Sequence, residues 1–155
     1  ISNKPKLIFI AYPNNPTGAI ADLTFFEGAI EWARANNVVI AHDLAYADVS
    51  FDGYRPPSIL EISGASEVAI EFNSLSKTFN MTGWRVAMAV GNAQVIDALT
   101  RVKTNIDSGI PQAIQEMAIT ALDDPRDSIE SHNRIYQKRR DRALLVLREL
   151  GLCIL

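Results

Sequence analysis

Residues 68–90 have the sequence VAIEFNSLSKTFNMTGWRVAMAV, and this stretch decides the fold. The apolar run from Val68 to Phe72 predicts a buried β-strand, and the run from Arg85 to Val90 predicts a second one. The link between them contains Gly83 and is too short for a helical crossover. We therefore expect these two strands to be antiparallel neighbours.

Two more strands are predicted upstream of this stretch. Leu7–Ala11 and Val38–His42 are continuous apolar runs, which are typical of strands buried on both faces. Between them, Thr24 and Glu27 have the spacing of a capping box, and apolar residues then recur at helical intervals. A strand, helix, strand unit of this kind predicts parallel strands.

Downstream of the fourth strand the pattern becomes helical. We expect helices over residues 93–105, 111–122 and 127–150, with Gly151 ending the last one. The predicted fold is therefore of the α/β class, with a mostly parallel sheet, one antiparallel strand and flanking helices.

Composition excludes several classes of function. The chain has 155 residues, 48% of them hydrophobic, which is enough for one core, and its formal charge of −3 provides no basic field for nucleic acid or anionic lipid. Its one cysteine, Cys153, rules out an internal disulfide, and no cysteine spacing typical of a metal site occurs. We expect no metal, no nucleic acid partner, no membrane segment and a cytoplasmic location.

Polar residues follow three of the predicted strands. Asn15 comes after the first strand, Asp43 after the second and Lys77 after the third. In open α/β sheets, ligands bind outside the carboxyl ends of the parallel strands. We therefore expect these three side chains to meet at one crevice.

The chemistry of the residues around Lys77 indicates a cofactor. A lysine amine can bond covalently to a carbonyl, while the Ser74 hydroxyl and the planar Arg85 guanidinium suit an attached phosphate. Pyridoxal 5'-phosphate combines both groups. Considered singly, Lys77 is better explained as a solvated lysine and Arg85 as part of a surface ion pair, so the joint pattern carries the prediction.

Three further residues suit the ring of that cofactor. Asp43 could stabilise a protonated ring nitrogen, and Tyr46 and Asn15 could donate hydrogen bonds to the 3-oxygen. Each also has a simpler interpretation: a turn cap for Asp43, a partly buried aromatic for Tyr46 and a turn former for Asn15. We expect His42, on a buried strand, to be a core residue with satisfied hydrogen bonds and no catalytic role.

Four motifs in this order resemble the pyridoxal-phosphate-dependent aminotransferases of fold type I, class I/II. They are NNPTG at Asn14–Gly18, DLAY at Asp43–Tyr46, SLSK at Ser74–Lys77 and GWR at Gly83–Arg85. The resemblance implies that Lys77 is the Schiff-base lysine and proton carrier, and that Asp43 is the partner of the ring nitrogen. It also implies that Tyr46 and Asn15 bind the 3-oxygen, and that Ser74 and Arg85 bind the phosphate.

Within that family, three segments are similar to LL-diaminopimelate aminotransferases: Phe51–Ser58, Lys77–Arg85 and Asn105–Gly109. This similarity implies transfer of an amino group between an amino acid, such as LL-diaminopimelate, and a 2-oxo acid. It also implies a role in amino acid biosynthesis and a homodimer.

The resemblance spans most of this chain but less than half of a typical family member. It implies that residues 1–151 are part of the cofactor-binding large domain and that residues 152–155 begin a C-terminal small domain. The family's phosphate-cradling loop, ring-stacking aromatic and carboxylate-binding arginine find no match here, so we expect this chain to be a piece of a longer protein and inactive alone.

Two alternatives stay open. A carbon-sulfur lyase of the same fold would share these motifs, because the course of the reaction depends on substrate positioning. An aminotransferase-like module that senses pyridoxal phosphate within a transcription regulator would share them as well.

Overall fold

A computed structural model describes residues 5–123 and 126–152. The described part contains a four-stranded sheet in the order β1-β2-β3-β4, formed by Leu7–Ala11, Val39–Asp43, Ala69–Ser74 and Ala87–Gly91. Strands β1, β2 and β3 are parallel, and β4 is antiparallel to β3. The predicted fold class and the direction of each strand are confirmed.

Five α-helices accompany the sheet in the described ranges. They are α1 at Leu23–Asn36, α2 at Leu75–Thr78, α3 at Ala93–Ile106, α4 at Gln112–Leu122 and α5 at Asp127–Glu149. The predicted helices agree with α1, α3, α4 and α5, whereas the short helix α2 was not predicted. It lies in the link between β3 and β4 and places Lys77 in a helical turn.

The start of α1 differs from the prediction. The capping residue is Asp22, whose Oδ1 accepts a hydrogen bond from the Phe25 backbone N–H at 2.8 Å. Thr24 already lies inside the helix, so the predicted capping box of Thr24 and Glu27 is wrong. Both side-chain types can cap a helix, and Asp22 does so here because its backbone is extended.

The strand ends also shift by one or two residues. β3 continues to Ser74, which pairs with Ala87 of β4. β4 begins at Ala87 rather than at Arg85, because Arg85 has a left-handed backbone with φ 55° that cannot continue a strand. β2 extends to Asp43, so this carboxylate is the last residue of its strand.

The principal core lies between the sheet and α1. In the register of β2 and β3, Ile40 pairs with Ala69 and His42 with Glu71, so these four side chains share one face. The buried residues of this cluster are Phe26, Ile30, Ala33, Ile40, Ile59, Ala65 and Ala69. A second buried cluster forms around α2 and α4 from Leu75, Met81, Val86 and Ala118.

One prediction concerns the end of the chain. The predicted domain boundary lies after residue 151. Residues 153–155, including Cys153, lie outside the described residues, so the boundary stays a prediction.

Within residues 5–123 and 126–152, none of the helices has both the length and the apolar character needed to cross a membrane.

Candidate active site

Four strand ends meet at one edge of the sheet. Asp43 at the end of β2 pairs with Ala11 on one side and Phe72 on the other. Because β4 is antiparallel, its first residue, Ala87, lies at this same edge opposite Ser74. The strand ends at this edge and the segments that directly adjoin them carry all six predicted site residues: Asn15, Asp43, Tyr46, Ser74, Lys77 and Arg85.

The structure brings three of these residues into contact. The Asn15 side-chain amide donates a hydrogen bond to the Tyr46 phenol oxygen at 3.0 Å. The Lys77 Nζ lies 5.8 Å from the centre of the Tyr46 ring, within cation–π range. Among the described residues, neither the second amide proton of Asn15 nor the phenol proton of Tyr46 has a partner, so both can donate to a common acceptor.

Asp43 is exposed at this edge and shares a face of the sheet with Phe72 and Ser74. Its Oδ1 accepts a hydrogen bond from the Ala45 backbone N–H at 3.0 Å. Its other oxygen has no hydrogen-bond partner among the residues the structure describes. Asp43 therefore caps a turn and still offers one free carboxylate oxygen to a ligand.

Ser74 and Arg85 also have unused polar groups. Ser74 precedes α2, and its hydroxyl forms no capping bond within the described ranges. Arg85 is exposed, and one of its nitrogens donates to the Thr82 carbonyl at 3.1 Å. Arg85 also has a left-handed backbone. This conformation costs a non-glycine residue on the order of 1 kcal/mol, and such conformations cluster at functional sites.

Beneath the edge, His42 belongs to a buried polar network. It is 0% exposed; its Nδ1 lies 3.3 Å from Glu71 Oε2 and its Nε2 lies 3.2 Å from the Tyr12 carbonyl. Each ring nitrogen lies within hydrogen-bond distance of an oxygen, so the prediction of a core histidine with polar partners is confirmed. The network links Tyr12, just after β1, with residues of β2 and β3.

Glu71 is the centre of this network, and its role was not predicted from the sequence. Besides His42, its carboxylate accepts hydrogen bonds from Ser58 Oγ at 2.7 Å, the Ile59 backbone N–H at 3.2 Å and Asn73 Nδ2 at 3.1 Å. Burial alone raises the pKa of Glu71, but the hydrogen bonds from His42, Ser58 and Asn73 outweigh it, so the pKa is lowered. A carboxylate within an apolar strand requires such partners, and this was an available signal.

Asp48 was also missed. It lies two residues beyond Tyr46, and its carboxylate accepts hydrogen bonds from Thr78 and from Arg126. No sequence pattern connects Asp48 with Arg126, which are 78 residues apart.

The polar groups at the edge suit a phosphorylated aldehyde better than a metal ion. They comprise one amine, one amide, one phenol, one carboxylate, one hydroxyl and one guanidinium. In the described part of the chain, no group of three or more His, Cys, Asp or Glu side chains could hold a metal. The amine can form a covalent bond, and the guanidinium matches a phosphate.

Comparison with known proteins identifies the family. The family model described as aminotransferase class I and II matches residues 1–155. The chain belongs to this aminotransferase family. The family resemblance inferred from the four motifs is confirmed.

Curated LL-diaminopimelate aminotransferases are more than half identical to this chain over the aligned residues. An LL-diaminopimelate aminotransferase of Dehalococcoides mccartyi is 57% identical over 152 residues, which are 98% of this chain and 39% of that protein. One of Halothermothrix orenii is 57% identical over 151 residues, which are 97% and 39% of the two chains. The similarity to LL-diaminopimelate aminotransferases is thus confirmed, and the chain spans about two fifths of these relatives' length.

Solved aminotransferase structures have the same fold. The structure of BacF without ligand from Bacillus subtilis has a TM-score of 0.89 at 43% identity, covering 96% of this chain and 40% of that one. A probable N-succinyldiaminopimelate aminotransferase of Thermus thermophilus has a TM-score of 0.87 at 35% identity, covering 93% and 39%. The arrangement of the four strands is therefore that of the aminotransferase fold.

Proposed function

We propose that this chain is the cofactor-binding part of a pyridoxal-phosphate-dependent aminotransferase that moves an amino group between an amino acid and a 2-oxo acid. The observation that carries the proposal is the contact of Asn15, Tyr46 and Lys77 at the sheet edge where Asp43 and Arg85 also lie. Membership of the aminotransferase family supports it.

The free groups at the edge define which residues would hold the cofactor. Lys77 would bond covalently through its amine, and Ser74 and Arg85 would bind the phosphate. Asn15 and Tyr46 would donate to the ring oxygen, and Asp43 would accept from the ring nitrogen. When bound, pyridoxal phosphate supplies the electron sink that makes the substrate α-proton labile.

Lys77 then has a second role as a base and an acid. When not bonded to the cofactor, the Lys77 Nζ would accept the proton from the substrate α-carbon and would later donate that proton again. The Lys77 amine lies 5.8 Å from the centre of the Tyr46 ring, so Tyr46 would border the place where the proton is transferred. Asp43 would provide a carboxylate for the ring nitrogen of the cofactor.

Several finer points belong to the same proposal. The amino donor is of the diaminopimelate class, because the curated relatives at 57% identity are LL-diaminopimelate aminotransferases. Residues 1–151 belong to the large domain, and the complete enzyme is a cytoplasmic homodimer of amino acid biosynthesis. The relatives are longer than this chain, which supports the proposal that substrate-binding residues lie outside it.

The direct test is to trap the covalent bond in the full-length protein. Borohydride reduction of the holoenzyme is expected to fix the cofactor on Lys77, detected by mass spectrometry of the peptide. Lys77→Ala should lose both the label and transamination. Lys103→Ala is the control, because Lys103 lies on α3 and pairs with Asp107 on the surface. A label on another lysine, or full activity of Lys77→Ala, contradicts the proposal.

The same protein separates the two alternatives. Amino transfer to 2-oxoglutarate indicates an aminotransferase, whereas release of ammonia and a thiol from a sulfur amino acid indicates a lyase. Covalent cofactor binding without either reaction, together with sequence-specific DNA binding, indicates a regulator.

A further inference from the structure

A second contact connects the two segments that carry Tyr46 and Lys77. Asp48 lies in the turn closed by the hydrogen bond from the Val49 N–H to the Tyr46 carbonyl at 3.1 Å. Its Oδ2 accepts a hydrogen bond from Thr78 Oγ1 at 3.1 Å. Thr78 directly follows Lys77 and is the last residue of α2. The Asp48–Thr78 contact therefore runs beside the contact between Tyr46 and Lys77.

Helix α5 holds Asp48 from the other side. The Arg126 guanidinium, immediately before α5, pairs with the other oxygen of the Asp48 carboxylate. Asn133 on α5 donates its side-chain amide to the Asp48 backbone carbonyl at 2.7 Å. The Asp48 side chain is only 23% exposed, so its contacts are less screened by water than those of a surface ion pair.

Helix α2 needs such external support. It has four residues, and it closes with the hydrogen bond from the Phe79 N–H to the Leu75 carbonyl at 3.0 Å. One turn of helix is unfavourable alone, because several residues must be ordered for one hydrogen bond. The position of Lys77 is thus determined by what holds α2 against its neighbours. Apolar packing holds it at Leu75, whereas the polar contact at its other end is Thr78 with Asp48.

We propose that Asp48 is a positioning residue for Lys77. Arg126 and Asn133 hold Asp48 against α5, and its carboxylate holds Thr78, so the Lys77 amine keeps its place beside Tyr46. The importance of this placement rests on the proposed function, because catalysis requires the amine within reach of its targets. A misplacement of about 1 Å can lower turnover by as much as about 100-fold.

The test compares two substitutions of Thr78 in the full-length protein. Thr78→Val removes the hydroxyl but keeps the branched shape, whereas Thr78→Ser keeps the hydroxyl. We expect Thr78→Val to lower kcat by roughly 10-fold or more, with a much smaller change in KM, and Thr78→Ser to restore most of the loss. Thr100→Val is the matched control, because Thr100 donates to the Ile96 carbonyl within the exposed helix α3.

A second readout does not depend on activity. In the cofactor-free protein, hydrogen exchange of the Phe79 amide reports whether the α2 turn is closed. We expect this amide to exchange several-fold faster in Thr78→Val and at the original rate in Thr78→Ser and Thr100→Val. Unchanged Phe79 exchange and kcat in Thr78→Val, or no recovery in Thr78→Ser, overturns the proposal.

Variants on α5 keep the test decisive if Thr78→Val unfolds more widely. Arg126→Gln and Asn133→Ala remove hydrogen bonds to Asp48 from residues outside α2, and both should accelerate Phe79 exchange while amides of β2 keep their protection. Normal Phe79 exchange in both overturns the role of Asp48. If the original protein shows no transamination but Phe79 exchange follows the expected order, the proposed function fails and the positioning role stands.

Discussion

Two neighbouring residues of β2 serve different purposes, although they belong to one five-residue strand. His42 points into the core, is 0% exposed and has a partner for each ring nitrogen. Asp43, the next residue, is exposed. Among the described residues, its carboxylate accepts a hydrogen bond only from the Ala45 N–H. One strand thus carries a satisfied polar group that stabilises the sheet and an unsatisfied one that is available to a ligand.

This difference follows from burial. A buried polar group without partners costs several kcal/mol, so His42 and Glu71 persist in the core because their hydrogen bonds are made within the protein. At the edge of the sheet, water can satisfy Asp43 and Arg85, so their free donors and acceptors cost little before a ligand arrives. Substitutions of the buried polar groups and of the exposed ones should therefore change different measured quantities.

The largest effect is expected at the exposed end of β2. Asp43→Ala should lower kcat of the full-length enzyme by about 10²–10³-fold, the range for removing one preorganised electrostatic partner. Cofactor occupancy, measured by absorbance, should fall far less, because Lys77, Ser74 and Arg85 would still hold it. Unfolding free energy should change little. Asp97→Ala, an exposed partner of Arg101 on α3, is the control. Equal losses of kcat and occupancy contradict the role of Asp43.

An intermediate effect is expected in the buried polar network. Glu71 is 4% exposed, and Glu71→Gln should lower the free energy of unfolding by about 1–3 kcal/mol, because it disrupts a satisfied buried network. Chemical denaturation measures this loss. Glu67→Gln is the matched control, since Glu67 forms an exposed ion pair with Arg34 at 3.0 Å. Similar losses in both variants would show that burial does not set the difference.

The same variant has a defined pH signature. The pKa of Glu71 is lowered in the folded protein, so its contribution to stability is complete above the unfolded pKa of about 4.3 and is lost as the pH falls through the folded value. The stability difference between the original protein and Glu71→Gln should therefore shrink below about pH 4. A constant difference from pH 7 to pH 3 would contradict this assignment.

The smallest effect is expected for an ion pair outside both regions. Arg140 on α5 binds Asp52, with its Nη2 3.1 Å from Oδ1, and this hydrogen bond lowers the pKa of Asp52. Asp52→Asn removes the charge while tolerating the left-handed backbone, φ 58°, at this position. We expect a smaller loss of stability than for Glu71→Gln, disappearing at high salt. A loss that persists in 1 M NaCl would mean that the charge is not its cause.

Much of the fold could be predicted from the sequence, for local reasons. The buried strands are continuous apolar runs, and the short link from β3 to β4 requires antiparallel pairing. The positions of Asn15, Asp43 and Lys77 after three strands predicted their common edge, because parallel strands end on the same side. The predicted N-terminus of α1 was wrong because Asp22 and Thr24 are both good capping residues, and only the backbone conformation selects one of them.

The amino-acid sequence by itself determined the directions of the strands and the edge at which six polar residues gather, because apolar periodicity and link length act locally. Only the tertiary structure decided the positions of Glu71, Asp48 and the left-handed Arg85. The partners of Glu71 and Asp48 lie up to 85 residues away, as Asn133 is from Asp48, and which distant side chains meet depends on packing of the whole chain.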